Sequence, residues 1–379
     1  MKQIDHGEVI KRIHNMRDKH REEVSLRRFW RECFGDPPAY EDFYFSYVYP
    51  NNIVYTIQDK GMLHLNPYSC MVQGREQKLH YIVGVATKKE ERRKGIMRRM
   101  LCRALTDMYK DKEPFTYLMP ADVRYYQPFQ FVSISTKRET ILAGIKTHNM
   151  ELPGTASQNI VKLPYEKANI QFVKYEEIPQ LFGLEGQQKL FQHIDRMLSY
   201  RYDVFVKHDK GYFDLLLKEK KCQDGDVVFC FNGERQLENF EGFFAYGMED
   251  GRLIAEQYLF EQDWIESCLA QYYKGSKSII HQFPFMVRIV HAEVFLTLFA
   301  ELFYEFAIEG KRLLIEDPII TGNNGIYTFS TIENRISVKK QEKNSGDKRM
   351  WDVKMTVEEL ASFIFGTPQT DKVFFAEVI

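Results

Sequence analysis

An α/β (α+β) chain built of mixed-sheet layers is what this sequence predicts, on three observations. Strand-like and helix-like runs alternate along the whole length, as layered architectures require. A β-rich run, Tyr81-Ile-Val-Gly-Val-Ala-Thr87, empties through Lys88-Lys-Glu-Glu91 into the basic turn Arg92-Arg93-Lys94-Gly95. Apolar residues then recur at helical spacing, at Ile96, Met97, Met100, Leu101, Ala104, Leu105 and Met108. Finally, 379 residues with 44% hydrophobic and 14% aromatic content describe a globular chain with room for two or three cores.

Residues 1–150 form the first expected unit. The first ~30 residues read as helix, with Ile10, Ile13, Met16 and Val24 to Phe29 as buried candidates. Phe43–Tyr49, Ile53–Gln58, Gly61–Val72 and Leu79–Thr87 read as strands, parted by the turn residues Pro50-Asn-Asn52 and Gln73-Gly-Arg-Glu76. A helix over Gly95–Lys110, a short strand over Phe115–Met119 and the aromatic stretch Arg124-Tyr-Tyr-Gln-Pro-Phe-Gln-Phe131 follow. Leu152-Pro-Gly-Thr-Ala-Ser157 reads as a linker.

The second unit, 151–284, carries a helix over Gln188–Leu198 and strands over Asp226–Asn232, Glu241–Met248 and Leu253–Phe260. The turn Glu249-Asp-Gly251 between the last two is a hairpin signal. The third unit, 285–379, opens with one amphipathic helix over Val290–Phe306. Strands near Arg312–Glu316, Gly325–Thr331, Arg335–Lys340 and Met350–Lys354 follow, then a helix from Thr356, where Glu359 completes a capping box. The final residues, Phe374-Phe-Ala-Glu-Val-Ile379, are apolar. That pattern fits either a docked terminal strand or an end packed inside another part of the protein.

Composition excludes several classes. The formal net charge of −1 leaves no global electrostatic footprint for nucleic acid. The longest apolar run, Val294–Ile308, is interrupted by Glu301 and Glu305 and is too short to span a bilayer. The N-terminal residues lack the apolar core of a signal peptide, so a cytoplasmic protein is expected. Six scattered cysteines without CxxC spacing signal neither structural zinc nor a disulfide framework, and no metal is expected.

The basic turn carries the chemistry. The first turn of a helix exposes unpaired N–H groups and partial positive charge, so cations there are unfavourable unless an anion sits among them. The other reading is a solvated charge run. An acyl carrier such as acetyl-CoA would suit the first reading. The N–H groups of Arg93, Lys94, Gly95, Ile96, Met97 and Arg98 would take its pyrophosphate, with Gly95 permitting close approach. Val85, Ala86 and Thr87 would pair edge-on with the pantetheine arm, and an N–H near Val85 would face the oxyanion. Tyr126 would protonate the leaving thiolate, unless it is a core tyrosine.

Val85-Ala-Thr87, Arg92-Arg-Lys-Gly-Ile-Met97 and Arg124-Tyr125-Tyr126 with Phe131 together resemble the acetyl-CoA motif and tyrosine loop of the GNAT N-acetyltransferase superfamily. The three-part organisation more narrowly resembles the Eis-type (enhanced intracellular survival) family. Trp30-Arg-Glu-Cys-Phe-Gly-Asp36, Met286-Val-Arg-Ile-Val290 and Asn323-Asn-Gly-Ile-Tyr-Thr-Phe329 support that likeness. The resemblance implies two GNAT-like mixed-sheet domains, the second degenerate, and a sterol-carrier-protein-like α+β domain. It implies acetyl-CoA as co-substrate, with Ala121 and Asp122 also touching it, Tyr126 as general acid and the terminal carboxylate of Ile379 as general base. It also implies a hexamer.

The expected activity is direct transfer of acetyl from acetyl-CoA to a primary amine of a cationic small molecule or lysine side chain. Asp36, Glu41 and Asp42 are either attractors of such cations or ordinary solvated acids. Two readings from other classes stand beside it. One is an apolar-ligand carrier using the aromatics from Phe295 to Phe306; the other is a regulatory protein that binds acetyl-CoA without turnover.

Overall fold

The computed structural model describes residues 9–135, 138–142, 169–260, 264–273, 278–333, 335–341, 351–366 and 373–375. The expected linker at 152–157 and the carboxylate of Ile379 lie outside the described residues. The described residues begin with β1 (Lys11–Ile13) and α1 (Met16–Phe34), in place of the one helix expected. Asn15 caps α1 by accepting from the Asp18 N–H at 2.9 Å, and Gly35 ends it in the left-handed region, at φ 69°.

Phe43–Tyr49, expected as a strand, is helical: α2 (Pro38–Phe43) runs into one π turn over Tyr44–Val48. Its aromatic content mimics a strand, but the buried positions Tyr44, Phe45, Val48 and Tyr49 recur at helical spacing. β2 (Ile53–Ile57), β3 (Gly61–Val72) and β4 (Arg75–Thr87) form an antiparallel meander. α3 (Ile96–Lys110), β5 (Phe115–Leu118) and β6 (Val132–Ser133) complete the first segment.

The second segment runs β7 (Arg138–Leu142), β8 (Ile170–Lys174), α4 (Ile178–Arg201, kinked at Gly183), β9 (Val204–Val206) and α5 (Lys210–Lys221). β10 (Asp226–Asn232), β11 (Phe240–Glu249), β12 (Arg252–Phe260), α6 (Ile265–Tyr272) and β13 (Ser278–Gln282) follow. The turn between β11 and β12 has positive φ at both Asp250 (49°) and Gly251 (71°), as the expected tight hairpin requires.

The third segment begins with β14 (Met286–Ile289). The single helix expected over Val290–Phe306 is broken into α7 (Ala292–Leu298), a 3-10 turn (Ala300–Phe303) and α8 (Tyr304–Glu309). Leu298, Phe299 and Ala300 are buried consecutively, which one stripe of a regular helix cannot achieve. β15 (Arg312–Glu316), β16 (Gly325–Ile332), β17 (Arg335–Gln341), β18 (Val353–Thr356), α9 (Val357–Phe365) and β19 (Val373–Phe374) end the described chain. The capping box is formed: Glu359 N–H donates to Thr356 Oγ1 at 3.1 Å, and Thr356 N–H to Glu359 Oε2 at 2.7 Å.

Three mixed or antiparallel sheets result, and they interleave along the chain. The first has the order β1-β2-β3-β4-β5-β14-β6, with β9 on β3 and β19 on β9. The second is β7-β13-β12-β11-β10-β8, and the third is β17-β16-β15-β18. Strands β9, β14 and β19 therefore reach the first sheet from residues beyond 150, while β7 leaves it for the second.

One ion pair ties the first sheet to the third. Arg288 on β14 and Asp317 after β15 are both sealed from solvent and meet at 2.8 and 3.0 Å. Arg288 also donates to the carbonyls of Phe129 (2.7 Å) and Ile289 (2.6 Å). Asp317 accepts from the N–H groups of Ile319 and Ile320 and from Asn323 Nδ2, each at 2.9 Å. So saturated a pair tolerates burial, but losing one partner strands the other charge. Asp317→Asn is expected to lower unfolding free energy by about 3–5 kcal/mol, as read by chemical denaturation followed by fluorescence.

Candidate active site

Strand β4 splits from β5 at a glycine. The two strands pair in parallel only at Tyr81 with Tyr117 and Ile82 with Leu118. Immediately beyond, the β3–β4 register slips: His64 opposes Val83 and Met62 opposes Ala86, so Gly84 and Val85 bulge opposite Leu63. Gly84 sits at φ 59°, and a Cβ there would lie 2.6 Å from Cζ3 of Trp30. Glycine satisfies both the conformation and the close approach. Past the bulge, Val83–Thr87 pair with no described strand on the β5 side, leaving an open backbone edge inside the protein.

A hydrogen-bond chain supports the bulge from behind. Asn52 Nδ2 donates to Tyr44 Oη at 2.9 Å, and that hydroxyl lies 2.8 Å from His64 Nδ1. Burial pushes the His64 imidazole down to about 3, so it is neutral where it meets the Tyr44 hydroxyl. Trp30 stacks on Tyr44 at 4.3 Å and donates its indole N–H to Asp36 Oδ2 at 2.7 Å.

The turn after β4 is shaped for an anion. Arg93 (φ 63°) and Gly95 (φ 81°) are both left-handed, and Gly95 starts α3 with no side-chain cap and no acid in the first turn. Lys94 pairs with Glu91 at 3.1 Å, while the Arg98 guanidinium lies 5.7 Å from the Phe129 ring centroid. Ile96 is buried and Met97 packs against the core, so each can offer a ligand only backbone. The turn thus sets uncapped N–H groups among exposed cations, an arrangement in which helix starts accept anions.

Tyr126 follows β5 on two successive 3-10 turns, Val123–Tyr125 and Gln127–Phe129. Its side chain is 7% exposed, and burial pushes the phenol up to about 12, so it holds its proton across neutral pH. Asp122 caps the first turn and pairs with Arg124 at 2.9 Å, which commits its carboxylate locally and holds it below the usual range.

The bulged end of β4, the Tyr126 loop and the end of α5 border one cavity of about 640 Å³. Of the sequence-expected residues, Val85, Ala121 and Tyr126 line it; Ala86, Thr87, the Arg93–Arg98 turn and Asp122 lie outside its lining. Of the expected acids, Asp36 lines it, whereas Glu41 is tied to Arg31 at 2.6 Å and Asp42 to Arg27 at 2.8 Å. Sequence reading missed Gly84, and it missed the wall supplied by the second segment: Glu219, Cys222, Gln223 and Glu256. A glycine inside a β-branched run was the available signal for the bulge. The Lys218-Glu-Lys-Lys221 run offered none, since it reads as a solvated surface.

Residues 12–133 match the family model described as acetyltransferase (GNAT) domain. No curated protein matches the chain in sequence. Among solved structures, a probable N-acyltransferase of unknown function from Enterococcus faecalis V583 is similar in fold. It has a TM-score of 0.66 and 15% identity, over 95% of this chain and 90% of that one. A GCN5-related N-acetyltransferase from Anabaena variabilis ATCC 29413 gives 0.64 and 13%, over 94% and 90%. Eis1 from Mycobacterium abscessus gives 0.57 and 12%, over 94% and 90%.

The protein therefore carries a GNAT acetyltransferase domain and is an enzyme of the acetyltransferase class, which uses acyl-CoA; the mixed α/β fold extends over nearly the whole chain. The donor set fits such a carrier: an open strand edge, an uncapped cationic turn and a protonated phenol lie on consecutive elements. Among the described residues no helix is long and apolar enough to cross a membrane.

Gly84→Ala tests the bulge. The strained φ and the overlap with Trp30 are expected to cost about 1–3 kcal/mol of stability and to weaken coenzyme A binding at least about tenfold. Thermal melting and calorimetric titration measure the two effects.

Proposed function

We propose that the protein transfers acetyl from acetyl-CoA directly to a primary amine of a cationic small molecule or lysine side chain, within a ternary complex. The observation that carries this reading is the meeting of three features in one cavity: the open β4 edge at Val85, the buried Tyr126 phenol and acidic residues including Asp36. Val85–Thr87 would pair edge-on with the pantetheine arm, Ala121 and Asp122 would also touch the carrier, and an N–H near Val85 would face the developing oxyanion. The N–H groups from Arg93 to Arg98 would take the pyrophosphate. Tyr126 would give its proton to the departing thiolate.

The Eis-type assignment belongs to this proposal, with the sterol-carrier-like reading of 285–379, the hexamer and the Ile379 carboxylate as a base. Its support is the motif resemblance and the path of the last described residues. β19 joins the first sheet through β9, and Phe375 stacks on Tyr117 of β5 at 4.0 Å. The carrier reading gains no such support. Phe295 and Phe299 pack on Phe365, and Phe303 stacks on Phe329 at 4.9 Å, so these aromatics pack on one another.

Thiol release from acetyl-CoA with spermidine, an aminoglycoside and a lysine peptide tests the activity; background rates with all three would refute it. Tyr126→Phe is expected to lower kcat by about 100-fold or more while leaving the coenzyme A dissociation constant within about twofold. Residues appended after Ile379 are expected to depress kcat in the same assay.

A further inference from the structure

Part of the cavity wall comes from the second segment, and it contains a buried acid with a free oxygen. Glu219 and Lys220, at the end of α5, are 5% and 1% exposed. Lys220 Nζ has three hydrogens and three acceptors: Glu219 Oε1 at 3.3 Å, Gln223 Oε1 at 3.2 Å and, closest, Glu256 Oε2 on β12. The ammonium is thereby saturated. Glu219 Oε2 is left buried and without a hydrogen-bond partner.

Glu219, Gln223 and Glu256 all line the cavity that holds Val85 and Tyr126. With two carboxylates on one ammonium, the cluster is short of one positive charge when both acids are ionised. An unmatched buried acceptor of this kind is unfavourable, and a cationic N–H donor reaching it from the cavity would relieve it.

The surroundings define how Glu219 titrates. Burial raises its carboxyl to about 7; Glu256 pushes in the same direction and Lys220 opposes both. Burial pulls Lys220 down, but the two carboxylates outweigh it and keep the ammonium charged. Tyr212 on α5 and Cys222 just past its end feel the Glu219 charge, and burial raises both. From α2, Asp42 faces Cys222 and is engaged by Arg27. From β10, Asp226 is taken by Lys174 at 2.8 Å and Lys221 at 2.9 Å. Asp36, elsewhere on the cavity lining, accepts from Trp30.

We propose that Glu219 is a catalytic base supplied by the second segment, its free Oε2 taking the first proton from the ammonium of the acyl acceptor. This inference rests on the acetyl-transfer reading above. An acceptor arrives as R–NH3+ and must lose two protons to become an amide. Glu219 accepts one; the nitrogen lone pair then forms the C–N bond as the C–S bond breaks. Tyr126 protonates the departing sulfur and regains a proton from the nitrogen's second N–H, directly or through another base. The proton on Glu219 goes to solvent, so one proton is released per turnover and no oxidant or reductant is needed.

The test is the pH profile of kcat/KM for acetyl-CoA with whichever of spermidine, an aminoglycoside or a lysine peptide turns over. Below its titration Glu219 is protonated and cannot accept, so the wild-type rate is expected to fall tenfold per pH unit below about 7. Glu219→Gln should remove that limb and lower kcat/KM by about 100-fold or more. Glu256→Gln, with the outer carboxylate neutralised, should move the limb to lower pH, because Glu256 raises Glu219. A merely structural role would produce no such shift.

A wild-type limb that survives in Glu219→Gln, or stays in place in Glu256→Gln, would overturn the inference while leaving acetyl transfer standing. Should Glu219→Gln fail to fold by circular dichroism, the Glu256→Gln shift alone decides. Wild-type protein inactive on all three amines would remove the acetyl-transfer reading and this inference with it.

Discussion

The Arg288–Asp317 pair is the constraint on which the rest of the arrangement hangs. Arg288 sits on β14, the strand between β5 and β6, and its guanidinium reaches both the Phe129 carbonyl and Asp317. One side chain thus fixes the tyrosine loop, a central strand of the first sheet and the approach to the third sheet. Desolvating two charges is tolerable only because nearly every lone pair and N–H around them is used. Tyr126 is three residues from that carbonyl, so its position follows from a contact made by a residue over 150 positions later in the chain.

The cavity is consequently composite. The first segment supplies the bulged edge and the phenol, the second supplies Glu219 and Glu256, and Phe283-Pro284 close it on the approach to β14. Its electrostatics are divided in the same way. The exposed cations lie on the turn leading into α3, and the acids face the cavity from α5 and β12. An anionic carrier and a cationic acceptor would each meet opposite charge, and the Tyr126 phenol lines the same cavity with its proton held.

Legibility in the sequence tracked how local each feature is. The strand-turn-helix at 81–110, the Asp250-Gly251 hairpin and the Thr356 capping box rest on neighbouring residues, and the pattern displayed them. Features set by tertiary packing were hidden. Tyr44–Tyr49 has strand-like composition but packs as helix, and the helix expected over 290–306 breaks to bury consecutive apolar residues. Strand β14 carries no mark of membership in the first sheet. Lys220 looks like any surface lysine until its two carboxylates are seen around it. Val85 and Tyr126 stand in local motifs and, with Ala121, line the cavity, whereas nothing local marks its acidic wall.

Amide hydrogen exchange with and without acetyl-CoA asks most directly whether the split between β4 and β5 is the carrier's seat. Slower exchange is expected at Val83–Thr87 and Arg93–Arg98, where the open edge and uncapped turn gain partners, with strands 312–341 unchanged. Protection confined to the third sheet, or none at either stretch under saturating acetyl-CoA, would contradict the account.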